Sequence, residues 1–280
     1  MNKFLSVLTL TLGSFGLFAQ SSYQLKPEKQ IINGITVNWN GATKAQKKVI
    51  SELLENMVYV EGGDFIMGTN ENNEGSMIQS SPAHREKVNS FWINKNELTK
   101  KIWDTITGND YNLMVFPGYN NLQDFEGKEN NFPILIGSND EEWNNLINFF
   151  KTLNSLTGLN FRLTTEAEWE FAAKGGNYSR GYKYSGSNSL DAVAWHHDNG
   201  KKVHAVGEKA PNELGIFDMS GNLAEWTSDK FTYNYNSLPE EDEELNVSRG
   251  GYFERSDCKV TSRYYGDTDG GYVGVRLVLD

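Results

Sequence analysis

Two short stretches of this sequence contain residue types that could do chemistry. In the first, two acids flank a glycine turn within eight residues, Asp218 to Glu225. Hard cations such as Ca²⁺ bind carboxylates together with backbone carbonyls. The candidate ligands are therefore two side chains and two intervening carbonyls, those of Asp218, Glu225, Gly221 and Leu223. Spacing alone favours an ordinary turn before a buried strand, because the loop lacks the regularly spaced acids of an EF-hand.

The second stretch surrounds Cys258, the only cysteine in the 280 residues. A single cysteine cannot form an intrachain disulfide. Most lone cysteines are small buried hydrophobes, whereas a reactive thiol requires a lowered pKa and some exposure. The location of Cys258 in the C-terminal segment keeps both interpretations open.

The composition predicts one large, loop-rich globular domain. Hydrophobic residues make up 38% of the chain and aromatic residues 12%, and there are 27 glycines, so aromatic packing must provide much of the order. The formal net charge is −11. An acidic chain repels phosphate backbones and anionic lipid surfaces, so we exclude nucleic acid as a partner.

Residues 1–20 have the features of a secretory signal peptide. Lys3 precedes an apolar run at positions 4–18, and Ala19 provides a small residue near the expected cleavage point. The run is too short to span a membrane. We therefore expect an exported protein, periplasmic or extracellular, without a membrane span.

Residues 21–56 are predicted to form an N-terminal appendage to a main domain at residues 57–280. The appendage has a strand pair that turns at Asn33-Gly34 and a helix that begins with the capping box Thr43/Gln46. In the main domain, residues 109–132 and the acidic run 240–244 are predicted to be surface loops.

Three further helices are predicted in the main domain. One begins at Asn96 and ends at Gly108, and the other two begin with the capping boxes Ser138/Glu141 and Thr165/Glu168. Between the latter two, residues 161–163 are predicted to be a short buried connector. Short strands separated by glycines dominate the last hundred residues.

Five segments, in order, resemble the formylglycine-generating enzyme family, also called the sulfatase-modifying-factor family. They are GGDFIMGT, SFWINKNELT, FRLTTEAEWEFAAKGG, PNELGIFDMSGNLAEWTSD, and SRGG with a terminal GVRLV. The resemblance covers about residues 57–280. It implies a single compact α+β domain of low regular secondary structure, distantly C-type-lectin-like, with structural calcium and a surface cleft.

Active members of this family bind one Cu(I) ion through two cysteine thiolates and use dioxygen to convert a sulfatase cysteine to formylglycine. Soft thiolates select Cu(I). Cys258 resembles the second of these cysteines, while the first would fall at Phe253 or Arg255, which cannot bind copper. We therefore do not expect copper, and Cys258 is catalytic only if the chain is active.

The resemblance favours calcium at the first loop, because Asp218, Gly221, Leu223 and Glu225 match the family's calcium loop position by position. Asp198 and Gly200 match the later ligands of a second family calcium site whose earlier asparagine is missing here. Ala224 replaces a tryptophan that lies beside the family's cleft.

Other constellations have structural interpretations. His196, His197 and His204 could bind a metal, but adjacent histidines usually point to opposite sides of the chain. No nucleophile elbow of the G-x-S-x-G type accompanies the serines. Arg276 is expected to tie the last strand into the core, and Arg263 is expected to face the cleft with Ala224 and Arg255.

Three functions follow as hypotheses. The first is an exported, calcium-stabilised binding or accessory module of the cell envelope that lacks copper oxidase activity. The alternative is a formylglycine-generating oxidase that uses Cys258 and modifies sulfatases. The third is a surface binder of proteins or glycans through aromatic loops that contain Tyr233, Tyr235, Tyr252, Tyr264 and Tyr265.

Overall fold

The computed structural model describes residues 28–70, 79–113, 128–237, 245–266 and 272–280. The predicted signal peptide, the acidic run 240–244 and most of the predicted loop 109–132 lie outside these ranges. Within them, no helix combines the length and the apolar character that crossing a membrane requires.

The first part of the chain alternates short strands with three helices. The strands are β1 (Glu28–Ile32), β2 (Ile35–Trp39), β3 (Met57–Val60), β4 (Gly63–Met67), β5 (His84–Val88) and β6 (Phe91–Asn94). The helices are α1 (Lys44–Glu55), α2 (Lys100–Thr107) and α3 (Asp140–Thr157).

The second part contains shorter elements. They are β7 (Phe161–Leu163), α4 (Glu166–Ala173), α5 (Leu190–Val193), β8 (Ala224–Lys230), β9 (Asn246–Arg249), β10 (Arg263–Tyr265), β11 (Val273–Gly274) and β12 (Leu277–Leu279). The segment predicted as a connector at residues 161–163 is the strand β7. It pairs with β12 through backbone hydrogen bonds, which a three-residue pattern could not reveal.

Two sheets organise the described residues. The first has the antiparallel order β3-β6-β12-β7, and the second has the order β10-β9-β8-β11, in which β11 runs parallel to β8. The hairpins β1-β2 and β4-β5 complete the pairing. Because β11 belongs to one sheet and β12 to the other, the C-terminal segment connects the two sheets.

The N-terminal segment packs into the main core. Ile35, Val37 and Trp39 of β2 and Leu53 of α1 are buried in the same apolar cluster as Phe161 of β7. The Asn33-Gly34 turn has φ angles of 51° and 80°, as a two-residue hairpin requires. The predicted hairpin is confirmed, and the predicted appendage shares a core with the rest of the domain.

The observed first residues of the helices test the predicted capping residues. The boxes Thr43/Gln46 and Thr165/Glu168 are confirmed, each with both reciprocal hydrogen bonds. The other two starts were wrong: α2 begins after Thr99 and not at Asn96, and α3 begins after Asn139 and not Ser138. The error at α3 is one residue, because the Asn139 side chain accepts from the Glu142 amide at 3.0 Å.

A buried ionic cluster joins α4 to β9 and β10. The Glu166 carboxylate accepts from Arg249 Nη1 and from Arg263 Nε, each at 2.6 Å, and Arg249 Nη2 donates to Glu170 at 2.5 Å. Burial alone would raise the pKa of Glu170, but Arg249 and Lys174 bring it below its usual value. The two acids are therefore paired with Arg249, Arg263 and Lys174.

We expect Glu166→Gln to lower the free energy of unfolding by about 3–5 kcal/mol, because it leaves two buried guanidinium groups with a single counter-charge. Urea denaturation measures the loss. The matched control is Glu28→Gln at the exposed Lys47–Glu28 pair, which we expect to change stability by less than about 1 kcal/mol. Equal losses in the two variants would contradict this account of the cluster.

Candidate functional site

The loop from Asp218 to Glu225 is tightly turned. Asp218, Gly221 and Asn222 have φ angles of 59°, 77° and 59°, in the left-handed region that few side chains tolerate. A Cβ atom at position 221 would lie 2.2 Å from the carbonyl oxygen of Trp195. Glycine is therefore required at this position by its φ angle and by the close approach of a second backbone.

Glu225 is held by two side chains. Arg276 Nη2 donates to Oε1 at 2.6 Å and Arg276 Nε contacts both carboxylate oxygens, while Trp169 Nε1 donates to Oε2 at 2.7 Å. The prediction that Arg276 ties the end of the chain into the core is confirmed.

Glu97 belongs to the same site and was not predicted as a site residue. Its carboxylate accepts from Asn222 Nδ2 at 2.7 Å and from the Leu223 amide at 3.0 Å. It is fully buried between β6 and α2. Although Glu97 lies in the SFWINKNELT segment, no spacing or charge pattern distinguishes it from a surface acid.

The site gathers more negative than positive charge. Burial, and then the charges of Asp218 and Glu225, raise the pKa of Glu97 well above its usual value. Burial also raises the pKa of Asp218 to about 6. Three buried carboxylates share the single guanidinium of Arg276, an arrangement that a bound cation would stabilise.

Three oxygens of the loop are candidate calcium ligands. Asp218 Oδ2 accepts from the Gly207 amide at 2.7 Å, whereas the buried Oδ1 accepts no hydrogen bond from the described residues. The carbonyl oxygens of Gly221 and Leu223 also accept no hydrogen bond from the described residues. The Glu225 oxygens are already engaged by Arg276 and Trp169. Glu225 therefore contributes negative charge to the site rather than a free oxygen ligand.

The residues of the predicted second calcium site do not converge. The Asp198 side chain is 72% exposed and contacts His197 Nδ1 at 3.0 Å, and the Gly200 amide donates to the His196 carbonyl at 2.8 Å. The second site stays a prediction from the resemblance alone.

The three histidines have separate partners. His196 Nε2 contacts Asp191 at 2.8 Å, His197 is exposed, and the His204 ring stacks on Trp195 with 3.7 Å between ring centroids. No group of three histidine, cysteine or acidic side chains in the described ranges is placed to hold a metal ion.

The Cys258 thiol is fully buried. Burial raises its pKa to about 12, far from the value a reactive thiolate requires. Its sulfur lies 3.6 Å from the carbonyl oxygen of Arg255 and 3.9 Å from that of Tyr252. The structure therefore supports the small-hydrophobe interpretation of this cysteine.

The residues predicted to line a cleft lie in different environments. Ala224 is buried in β8. Phe253, one of the two positions where the family's first cysteine would fall, is buried against Tyr272. The half-buried Arg255 places its guanidinium over Tyr252 and Tyr264.

Arg263 does not face an open surface. It is 2% exposed, pairs with Glu166 and donates to Thr232, because the buried carboxylate needs a counter-charge. The expectation of a cleft-facing Arg263 is thus corrected to a structural ion pair.

Comparison with known proteins identifies the family. A sequence profile for the Sulfatase-modifying factor enzyme 1-like domain matches residues 42–280. The chain belongs to this family. The match includes α1, which the sequence pattern had assigned to an appendage.

The relatives of this family member carry different names. Chaperone protein LppX from Paenibacillus barcinonensis is 30% identical over 261 residues, which are 79% of this chain and 86% of that protein. The formylglycine-generating enzyme of Mus musculus is 28% identical over 178 residues, 54% of this chain. The match spans only 45% of the mouse enzyme's own length.

A solved structure, PvdO from Pseudomonas aeruginosa, shares the fold with a TM-score of 0.63 at 23% identity. The alignment covers 80% of this chain and 94% of that one. The predicted single compact α+β domain of the formylglycine-generating-enzyme type is confirmed.

We expect native Cys258 to react with iodoacetamide at about pH 8 at least about a hundredfold more slowly than in denaturant, because the buried thiol is almost entirely protonated. Mass spectrometry of the alkylated protein measures the rates. As a control, the double variant Ser256→Cys/Cys258→Ser moves the thiol to an exposed neighbouring position and should react rapidly while folded. Rapid labelling of native Cys258 would disprove the buried, inert thiol.

Proposed function

We propose that this chain is an exported protein of the sulfatase-modifying-factor family that serves as a calcium-stabilised binding or accessory module of the cell envelope, without copper oxidase activity. The observation that carries the proposal is the number of thiols. The chain has one cysteine, whereas a two-coordinate Cu(I) site takes two anionic sulfurs.

The surroundings of Cys258 support the loss of oxidase chemistry. The Cys258 side chain is fully buried and its sulfur lies close to Gly251, so it has no exposed face for a metal or a substrate thiolate. Phe253 and Arg255, the two positions where the other cysteine would fall, provide an apolar ring and a cation. Neither group binds a soft monovalent metal.

Calcium has a structural role in this proposal. Asp218 Oδ1 and the carbonyls of Gly221 and Leu223 would hold the ion, which supplies the positive charge that the buried carboxylates lack. Glu97 holds the amide of Leu223 and the side chain of Asn222, so it keeps the loop carbonyls in position. The bound ion and Glu97 would together hold the loop in one conformation.

A protein partner is favoured over a glycan. Of the five tyrosines considered for sugar stacking, Tyr252 and Tyr264 are buried and Tyr233 is 57% exposed, so they form no common aromatic platform. The name of the LppX relative, a chaperone, supports an accessory role toward another protein. The apolar run at positions 4–18 supports export.

Metal analysis of the purified protein, equilibrated with Ca²⁺ and Cu(I) and then desalted, tests the proposal. We expect about one calcium per chain, no stoichiometric copper, and no conversion of a peptide that contains the sulfatase cysteine motif. The matched variant is Cys258→Ser, which should behave like the wild type. One copper per chain that Cys258→Ser abolishes, together with turnover of the peptide, would favour the oxidase alternative.

A further inference from the structure

A small cavity is lined in part by Glu97, whose carboxylate accepts hydrogen bonds from Asn222 and Leu223 of the Asp218–Glu225 loop. Its volume is about 150 Å³, and its polar wall includes Asn94, Asn96 and Glu97. The side chains of Glu52 and Lys101, 39% and 41% exposed, also line the cavity, which therefore reaches the protein surface. A small ion could reach Glu97 by this route.

Two amide oxygens in the cavity wall have no donor. Asn94 Oδ1 and Asn96 Oδ1 are buried and accept no hydrogen bond from the described residues. The residue Asn94 as a whole is 3% exposed. A buried acceptor without a donor is energetically unfavourable. Because Thr99 precedes α2, the Asn96 side chain does not cap that helix and is available to another ligand.

Gly207 brings Asn96 and Asp218 together. The Gly207 amide donates to Asp218 Oδ2 at 2.7 Å, and a Cβ atom on Gly207 would lie 3.3 Å from Asn96 Oδ1. Asn96 Oδ1 and the carboxylate of Asp218 thus lie beside the same glycine. A side chain at position 207 would crowd Asn96 Oδ1.

One divalent cation would balance the charges of the site when all three of its acids are ionised. Glu97, Asp218 and Glu225 are buried around Arg276, which leaves two negative charges uncompensated when all three acids are ionised. Calcium takes roughly six to eight oxygen ligands. The loop offers three open oxygens, one from Asp218 and two carbonyls, so further oxygens must come from outside the loop.

We infer that Asn96 supplies a side-chain oxygen ligand, from the connection between β6 and α2, to the calcium ion of the Asp218–Glu225 loop. The inference rests on the proposed calcium site and adds a residue outside the loop to its ligands. Glu97, the next residue, is a positioning residue that holds the loop from the same connection. The ion then joins two parts of the chain that are distant in sequence.

Isothermal titration with calcium and the melting temperature with and without calcium test this ligand. We expect Asn96→Ala to raise the calcium dissociation constant about tenfold or more, in the range for altered metal environments. Its metal-free melting temperature should stay the same or rise, because Asn96 Oδ1 has no hydrogen bond to lose. Asn109→Ala, at an exposed asparagine after α2, is the matched control and should change neither value.

A second variant separates a ligand from a packing residue. Asn96→Asp should lower the metal-free melting temperature by adding a buried charge, and should enlarge the rise caused by calcium because a carboxylate is the stronger calcium ligand. Asp218→Asn should weaken calcium binding in the loop itself. Loss of binding in Asp218→Asn with wild-type binding in both Asn96 variants would overturn the inference alone. Absence of calcium binding in the wild type would overturn the loop site as well.

Discussion

The fold depends on one buried carboxylate, that of Glu225. Arg276, which immediately precedes β12, donates to both of its oxygens, and Trp169 of α4 donates to one of them. The same guanidinium donates to the backbone carbonyls of Asn94 and Phe217. Because removing one member of a buried charge pair leaves the other uncompensated, these segments are energetically coupled.

Trp169 also separates two ionic clusters of different character. Its indole nitrogen contacts Glu225, while the guanidinium of Arg249 lies 5.3 Å from its ring centroid. On the Arg249 side, two acids face two arginines and Lys174, so each carboxylate has a cationic partner. On the Glu225 side, three acids face one arginine. The imbalance explains why cation binding is expected in the second cluster and why the first cluster is purely structural.

The features that the sequence predicted well depend on residues close together along the chain. The Asn33-Gly34 turn and the Thr43 and Thr165 capping boxes each involve partners within about four positions. The hydrogen bond from the Leu223 amide to Glu97 joins residues 126 positions apart. A sequence pattern cannot show such a bond, because the two segments meet only when both sheets have formed. Glu166 is likewise distant from Arg263 along the chain, so the sequence did not show their ion pair, and Arg263 was expected at a cleft.

We propose that this family member keeps a site for a hard cation, and its single cysteine cannot supply the thiol pair that a soft cation needs. Anomalous X-ray scattering from crystals grown with both calcium and Cu(I) tests it directly. We expect an anomalous calcium peak bounded by Asp218, Gly221 and Leu223, and no copper peak beside Cys258. A copper peak within bonding distance of the Cys258 sulfur, with no calcium in the loop, would contradict it.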